Sequence, residues 1–244
     1  MLKEFVCYGY LKVAYWLKQN NYIINPKKVY RLMKVNHLLY KRTITTTGKR
    51  NFVQLRSVNA EYPMQYLCMD IKYVYVHGIK HNIYLLTIMD LFSRKALDFM
   101  LKPSIRQHDV ILLISSLLSK YELPVKAITI RNDNGCQFIA HRVREYLKEK
   151  NIYQEFSHIA TPEDNSYIEA LNGLLQKEVI NRYEFDSFYH AERTITNYFS
   201  FYNEHRIHSA LNYKTPNQVW NEYLNRFANS YLYSFNKSVQ LIRG

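Results

Sequence analysis

The order of apolar runs after Pro63 is the feature that most restricts the fold of this 244-residue chain. Runs rich in aromatic and β-branched residues predict strands, and apolar residues at three- and four-residue spacing predict helices. The predicted strands are 66–76, 83–89, 96–101, 125–130 and 152–156, and the predicted helices are 110–118, 138–147 and one that begins near Thr161. This β-β-β-α-β-α-β-α order predicts an α/β fold, a mixed sheet with helices on its faces.

Basic residues are concentrated before this region. The chain has 33 Lys and Arg against 20 Asp and Glu, a formal net charge of +13. Residues 1–60 contain 12 of these basic residues and one acid, Glu4, which is a net charge of +11 and leaves +2 for residues 61–244. Such a concentration is typical of contact with nucleic-acid phosphates. A solubilising arm, or a surface that docks an acidic protein, is the alternative.

Two short helices are predicted inside the basic segment. Tyr10, Val13, Ala14 and Leu17 follow helical spacing, and Asn25 followed by Pro26 predicts the start of a second helix. The polar face of that second helix carries Lys27, Lys28, Arg31 and Lys34. A basic second helix favours a helix-turn-helix-like DNA-binding segment over residues 1–40, with an ordinary amphipathic helix pair as the alternative. Residues 41–62 lack apolar periodicity and predict a linker.

Several classes of protein are disfavoured by what the sequence lacks. Its most apolar stretch, 110–118, is too short to span a bilayer, and no secretory leader precedes Cys7. Cys7, Cys68 and Cys136 are an odd number of cysteines at wide spacing, which predicts reduced thiols and no zinc site. We therefore expect a cytoplasmic protein without a membrane segment.

Three acids occupy positions that the predicted order makes notable. Asp70 lies inside the first strand, where a buried carboxylate needs a cation, a metal or water. Asp133 follows the fourth strand, at the edge where open α/β sheets bind ligands. Glu169 lies on the last helix, whose buried stripe is predicted as Ile168, Leu171, Leu175 and Val179 and whose polar stripe is predicted as Asn165, Glu169, Asn172, Gly173 and Gln176. Because Gly173 has no side chain, a DNA strand or a backbone can approach the polar stripe closely at this position.

Together these acids favour a divalent metal site. Oxygen ligands suit Mg²⁺ or Mn²⁺ rather than zinc, and two such ions can hold the attacking and leaving oxygens of a phosphoryl transfer. Taken singly, each acid has an ordinary explanation, because a strand-end Asp often forms a turn and a helical Glu is usually solvated. Asp90, Asp98 and Asp164 remain alternatives on composition alone.

The spacing of the three acids resembles that of a known protein family. Asp133 and Glu169 enclose 35 residues, and Asp70 lies upstream in Asp-Ile-Lys-Tyr. This resembles the Asp, Asp, 35-spaced Glu triad of the integrase-like DDE transposases of bacterial insertion sequences. Further segments similar to motifs of that family are 132–138 (NDNGCQF), 164–169 (DNSYIE), 176–178 (QKE) and 202–208 (YNEHRIH) with Leu211 and Pro216. Segments 8–10 (YGY) and 29–33 (VYRLM) resemble the helix-turn-helix-like unit that opens the second-frame (OrfB) product of the IS-three family. Asn132 stands where Ser is usual.

The resemblance implies an RNase H-like fold, a mixed five-stranded sheet flanked by helices, over residues 63–225, with a tail over 226–244. It implies that Asp70, Asp133 and Glu169 hold two Mg²⁺ ions, for which Mn²⁺ can substitute, and catalyse cleavage and strand transfer at the ends of a mobile element. The implied partners are double-stranded DNA, further copies of the chain in a synaptic complex, and the first-frame (OrfA) product, in the bacterial cytoplasm at the nucleoid. The residues expected to contact DNA are Lys27, Lys28, Arg31, Lys34, Lys177 and Arg206. The alternative for Arg206, together with Asn203 and His208, is a structural role after the long helix, and the alternative for Lys177 is a solvated surface lysine.

Two other functions stay open at this point. One is a non-catalytic regulator that binds the ends of the element, and the other is a nuclease of the same fold that only hydrolyses DNA. The presence of all three acids at the family spacing favours an enzyme over the regulator. Strand transfer distinguishes a transposase from the nuclease.

Overall fold

A five-stranded mixed sheet forms the centre of the computed structural model, which describes residues 7–39, 58–121, 127–157 and 166–227. The strands are β1 (Tyr66–Val76), β2 (His81–Asp90), β3 (Ala96–Lys102), β4 (Ile128–Asn132) and β5 (Ile152–Phe156). Their order is β3-β2-β1-β4-β5, in which β1 pairs antiparallel with β2 and parallel with β4. The predicted mixed sheet is confirmed.

Helices cover both faces of this sheet, and a separate helix pair precedes it. The pair is α1 (Tyr10–Gln19) and α2 (Pro26–Val35), and the helices that follow are α3 (Gln107–Lys120), α4 (Cys136–Ile139), α5 (His141–Glu149), α6 (Ser166–Leu175) and α7 (Phe188–His205). A π-helical turn, Gln176–Ile180, continues α6, and residues 216–227 are also helical. The helix predicted over 138–147 is divided at Ala140, whose ψ of 138° is extended. The helix over 216–227 continues past the predicted end of the core at 225. The predicted start of α6, near Thr161, lies outside the described residues.

Side-chain alternation along β1 assigns its residues to two cores. Leu67 and Met69 pack on the face covered by α3 and α5. Cys68 and Val74 pack on the opposite face, against α6 and α7. Because successive side chains of a strand point to opposite faces, Asp70 belongs to the α6 face. This placement brings the acid under the helix that carries Glu169.

The N-terminal helix pair folds as predicted. The Asn25 side chain accepts a hydrogen bond from the Lys27 backbone N–H at 2.8 Å and so caps α2. Val13, Val29 and Met33 are buried in a small core between the helices. The predicted linker lies largely outside the described residues, although Val58 and Ala60 pack against the core on the α6 face. None of the helices in the described ranges combines the length and apolarity that crossing a membrane requires.

Asp90, one of the alternative acids, is a structural residue. It is fully buried at the end of β2, where it accepts hydrogen bonds from the backbone N–H groups of Met64 and Ser93 at 2.9 and 2.7 Å. It also accepts a hydrogen bond from the Ser93 hydroxyl at 2.6 Å. The carboxylate therefore closes the turn between β2 and β3 and ties it to the start of β1.

Asp90→Ala removes the acceptor of all three hydrogen bonds and leaves two buried backbone N–H groups unpaired. We expect the free energy of unfolding to fall by about 3 kcal/mol, measured by denaturant titration. Asp98→Ala is the control, because within the described ranges the half-buried Asp98 accepts only from Phe99 N–H and the Ser116 hydroxyl. A similar loss in both variants would contradict the anchoring role of Asp90.

Candidate active site

Strand register brings Asp70 and Asp133 to neighbouring positions. β1 and β4 are parallel, with Cys68 opposite Arg131. Continuing that register by two residues places Asp70 beside Asp133, which directly follows the last residue of β4. Neighbouring strands are about 4.8 Å apart, and paired residues of parallel strands point to the same face. Both acids therefore lie on the α6 face of the sheet.

Helix α6 supplies the third acid from above the sheet. The predicted buried stripe is confirmed, since Ile168, Leu171, Leu175 and Val179 are all buried on the α6 face. The next turn of the same helix carries Asn172, whose Nδ2 donates a hydrogen bond to Asp70 Oδ2 at 2.7 Å. Glu169 precedes Asn172 by three residues and therefore lies beside it on the helix surface. Glu169 itself is exposed.

The charges of Asp133 and Glu169 act on the Asp70 carboxyl group. The pKa of Asp70 is raised to about 6, mainly because burial disfavours its charged form. The negative charges of Asp133 and Glu169 raise this pKa further, whereas hydrogen bonds from the Ile71 backbone N–H and Asn172 lower it. The charges of two exposed acids thus act on a third, partly buried acid, an arrangement that a bound cation would relieve.

The loop that carries Asp133 is fixed to β5 on both sides. Asn132 donates from Nδ2 to the Asp133 carbonyl at 2.6 Å and accepts from Gln154 Nε2 at 3.1 Å. Asn134 donates to the Ser157 carbonyl at 3.2 Å. These contacts give Asn132, which replaces the usual Ser, a positioning role that the sequence did not reveal. In the sequence, the only sign of this role was that Asn132 and Asn134 lie on either side of Asp133.

Gly135 completes the turn after Asp133. Its backbone N–H donates to Asp133 Oδ1 at 2.9 Å, which orients the carboxylate. A Cβ atom at this position would contact Gln137 Nε2 and would lie 3.0 Å from Asp133 Oδ1. The glycine therefore leaves room for these two side chains to approach the backbone.

The donor set suits a hard cation. Asp70, Asp133 and Glu169 offer carboxylate oxygens, and the buried Asn172 Oδ1 has no hydrogen-bond partner. Across the described parts of the chain, no three His, Cys, Asp or Glu side chains lie close enough to bind a single ion together. The acids therefore lie within electrostatic reach of one another rather than in a closed cage of ligands.

The residues expected to contact DNA divide into two groups. Lys177 is exposed on the π-helical turn, and all four basic residues of α2 are exposed, namely Lys27, Lys28, Arg31 and Lys34. Arg206 is different, because it is only 1% exposed and its guanidinium binds the Glu178 carboxylate through Nε and Nη2. The expectation that Arg206 contacts DNA is therefore wrong, since a buried, paired guanidinium is not available to a phosphate.

Segment 202–208 is architectural as a whole. The Tyr202 hydroxyl donates to the Arg94 carbonyl at 3.0 Å, and Asn203 bonds both the N–H and the carbonyl of Ala96. The Arg94 guanidinium in turn lies 3.7 Å from the centre of the Tyr167 ring, two residues before Glu169. Arg94 and Glu178, which support the helix that carries Glu169, were not predicted from the sequence. In the sequence, Glu178 was noted only as the acid of segment 176–178 (QKE).

Models of two domain families match the chain. "Integrase core domain" models match residues 60–162 and 150–216, and an "HTH-like domain" model matches residues 2–43. These ranges correspond to the sheet with its covering helices and to the N-terminal helix pair.

Several proteins of bacterial insertion sequences are similar over most of their length. The InsK protein for IS150 of Escherichia coli K12 is 27% identical over 232 residues, which cover 88% of this chain and 78% of InsK. The transposase for IS904 of Lactococcus lactis is 24% identical over 220 residues, covering 86% of this chain and 85% of that protein. The transposase InsD for IS2 of Escherichia coli is 23% identical over 227 residues, covering 89% and 75%.

Solved viral integrases share the fold. The catalytic core domain of HTLV-2 integrase in complex with magnesium, in its trimeric form, superposes with a TM-score of 0.51 at 18% identity, covering 66% of this chain and 99% of that one. A simian T-cell lymphotropic virus intasome in complex with the PP2A regulatory subunit B56 gamma gives a TM-score of 0.56 at 15% identity, covering 90% and 73%. The architecture is thus the RNase H-like fold expected from the sequence.

Gly173→Ala tests whether the polar face of α6 approaches DNA. No atom lies within 4 Å of a Cβ built at Gly173, so alanine fits, and its helix propensity raises stability by up to about 1 kcal/mol. We expect higher thermal stability together with weaker binding or slower cleavage of a DNA duplex. A variant that is stabilised and fully active would show that this face remains away from the DNA.

Proposed function

The chain belongs to the DDE transposases of bacterial insertion sequences, of the IS-three type, and we propose that Asp70, Asp133 and Glu169 carry out DNA cleavage and strand transfer at the ends of its element. The observation that supports this assignment is the convergence of charge on Asp70. The charge of Asp133 acts on Asp70 from the end of the neighbouring strand, and the charge of Glu169 acts on it from the covering helix.

We assign the three acids to two divalent cations, Mg²⁺ with Mn²⁺ as a substitute. Asp70 with Asp133 would hold one ion, and Asp70 with Glu169 the other. When bound, such ions stabilise the attacking and leaving oxygens of an in-line phosphoryl displacement. The all-oxygen donor set and the excess negative charge around Asp70 both favour this occupancy.

The surrounding residues fix the acids in place before DNA arrives. Asn172 holds one oxygen of Asp70, and the Gly135 backbone N–H holds one oxygen of Asp133. A water molecule serves as the nucleophile for cleavage, and the freed DNA 3′-hydroxyl serves for strand transfer. No side chain forms a covalent bond to DNA in this scheme, so the 23 tyrosines of the chain serve packing and contact roles.

DNA is held by a basic surface that includes α2. Lys27, Lys28, Arg31 and Lys34 project from that helix into solvent, and we assign them to phosphate or base contacts. Lys177 adds a contact beside the catalytic helix. We further propose a homo-oligomeric synaptic complex in the bacterial cytoplasm, with the first-frame product as a candidate partner.

A single assay separates the candidate functions. The protein is incubated with Mg²⁺ and a duplex carrying the end sequence of its element, and the products are resolved on a denaturing gel. We expect nicking at the 3′ end and joined products, both lost on chelation of the metal. Nicking without joining would favour the hydrolytic nuclease, and binding without either product would favour the regulator.

Glu169→Gln tests the least buried part of the triad. The substitution preserves shape and helix propensity, so we expect the free energy of unfolding to change by no more than about 0.5 kcal/mol. Loss of one charge at a cation that stabilises the transition state is expected to slow cleavage by about a hundredfold or more.

Glu192→Gln is the matched control, because Glu192 is exposed on α7, away from the triad. It should retain wild-type cleavage. Near-normal cleavage and joining by Glu169→Gln would mean that the triad is misassigned.

A further inference from the structure

Helix α1 is joined to the segment that follows α7 by a set of contacts that we call the dock. The Ile207 backbone N–H donates to the Tyr8 hydroxyl oxygen at 2.8 Å, and both residues are buried. The rings of Tyr15 and Tyr213 stack with centroids 3.7 Å apart and planes 7° from parallel. Gln19 donates from Nε2 to the Tyr213 carbonyl at 3.0 Å. Ile207 also packs into the apolar core of the helix pair, so the dock continues the interior of the protein.

The backbone of the dock adopts a disfavoured conformation. Asn212 and Tyr213 are consecutive residues with φ of 53° and 61°, in the left-handed region that residues with a Cβ atom rarely occupy. The turn is closed by hydrogen bonds from His208 N–H to the Lys214 carbonyl at 3.0 Å and from Tyr213 N–H to the His208 carbonyl at 2.8 Å. Such conformations persist only where the surroundings hold them in place. Here the result is that the Tyr213 ring faces α1.

The dock connects directly to the catalytic helix. Arg206 precedes Ile207 and binds the buried Glu178, which lies on the π-helical turn that continues α6. The thiol of Cys7 lies close enough to Lys177 for that charge to affect its pKa. Lys177 is eight residues beyond Glu169, a distance of about 12 Å along a helix. The start of α1 is therefore held beside the far end of the element that carries Glu169.

We propose that the two DNA-binding helices work while docked on the catalytic core of their own chain, so that one polypeptide both holds and cuts the same DNA end. This inference rests on the proposed function. Lys177, beside the start of α1, is about 12 Å along the helix from Glu169, and α2 packs against α1 through Val13, Val29 and Met33. The docked helix pair is therefore anchored beside the acids of its own chain. The competing arrangement, in which the helices leave the dock and hold an end that another chain cuts, requires Tyr8 and Ile207 to lose their buried contact.

A reversible crosslink tests whether the docked state is the working state. Tyr15→Cys/Tyr213→Cys is treated with a short, reducible bis-maleimide, and the linkage is verified by peptide mass mapping. We expect the crosslinked chain to bind the end duplex, measured by fluorescence anisotropy, and to cleave it within twofold of the same chain after reduction. Wild-type protein treated with the same reagent is the control for other thiols.

Loss of binding or cleavage by tenfold or more on crosslinking, restored by reduction, would overturn the proposal, as would failure of the two cysteines to link. Failure of untreated wild-type protein to cleave counts against the proposed function instead. In that case the binding measurement still decides whether the docked state holds DNA.

Mixing two defective chains provides a second test. Lys28→Ala/Arg31→Ala impairs DNA holding, and Glu169→Gln impairs cleavage. If holding and cutting belong to one chain, the mixture cleaves no more than either variant alone. Recovery of a tenth or more of the wild-type rate would show that one chain cuts DNA held by another and would exclude the docked arrangement.

Discussion

The buried ion pair between Arg206 and Glu178 is the interaction on which the relative placement of the parts depends. Both side chains are almost wholly removed from solvent, and the guanidinium reaches the carboxylate through two nitrogens, with the shortest contact at 2.9 Å. The Tyr198 hydroxyl donates a further hydrogen bond to the same carboxylate at 3.0 Å. Loss of one partner leaves an uncompensated buried charge, which costs about 3–5 kcal/mol. The pair thereby joins the π-helical turn that continues α6, the end of α7 and, through Ile207, the N-terminal helix pair.

The triad is organised on a different principle, because its charges have the same sign. Burial of Asp70 in the central strand raises its pKa, and the two neighbouring acids add to that effect. Hydrogen bonds from Asn172 and Gly135 hold the carboxylates in place against this repulsion. A cation bound between these acids would relieve their repulsion. Functional sites often have such perturbed acids, whereas the Arg206–Glu178 pair brings opposite charges together away from water.

Much of the fold was predictable because local patterns and tertiary structure agree. Strand β1 begins and ends at the predicted residues, Asn25 caps α2, and the buried stripe of α6 is the one that its periodicity indicates. The sequence left a structural role and a DNA-contact role both open for Arg206, because an arginine bound to a phosphate and an arginine bound to a buried carboxylate look alike in a sequence. Asp90 and Asp70 pose the same difficulty. Both are acids in apolar strands, and only the donors that face them show which one anchors a turn.

The side chain of Asn203 has a consequence for how copies of this chain meet. Strand β3 is at one edge of the sheet, and an uncovered edge can pair with a strand from another molecule. The amide of Asn203 occupies both the N–H and the carbonyl of Ala96, as a neighbouring strand would. A helix thus blocks the start of this edge against backbone pairing. Two copies of this chain are in this way prevented from joining their sheets edge to edge at that position.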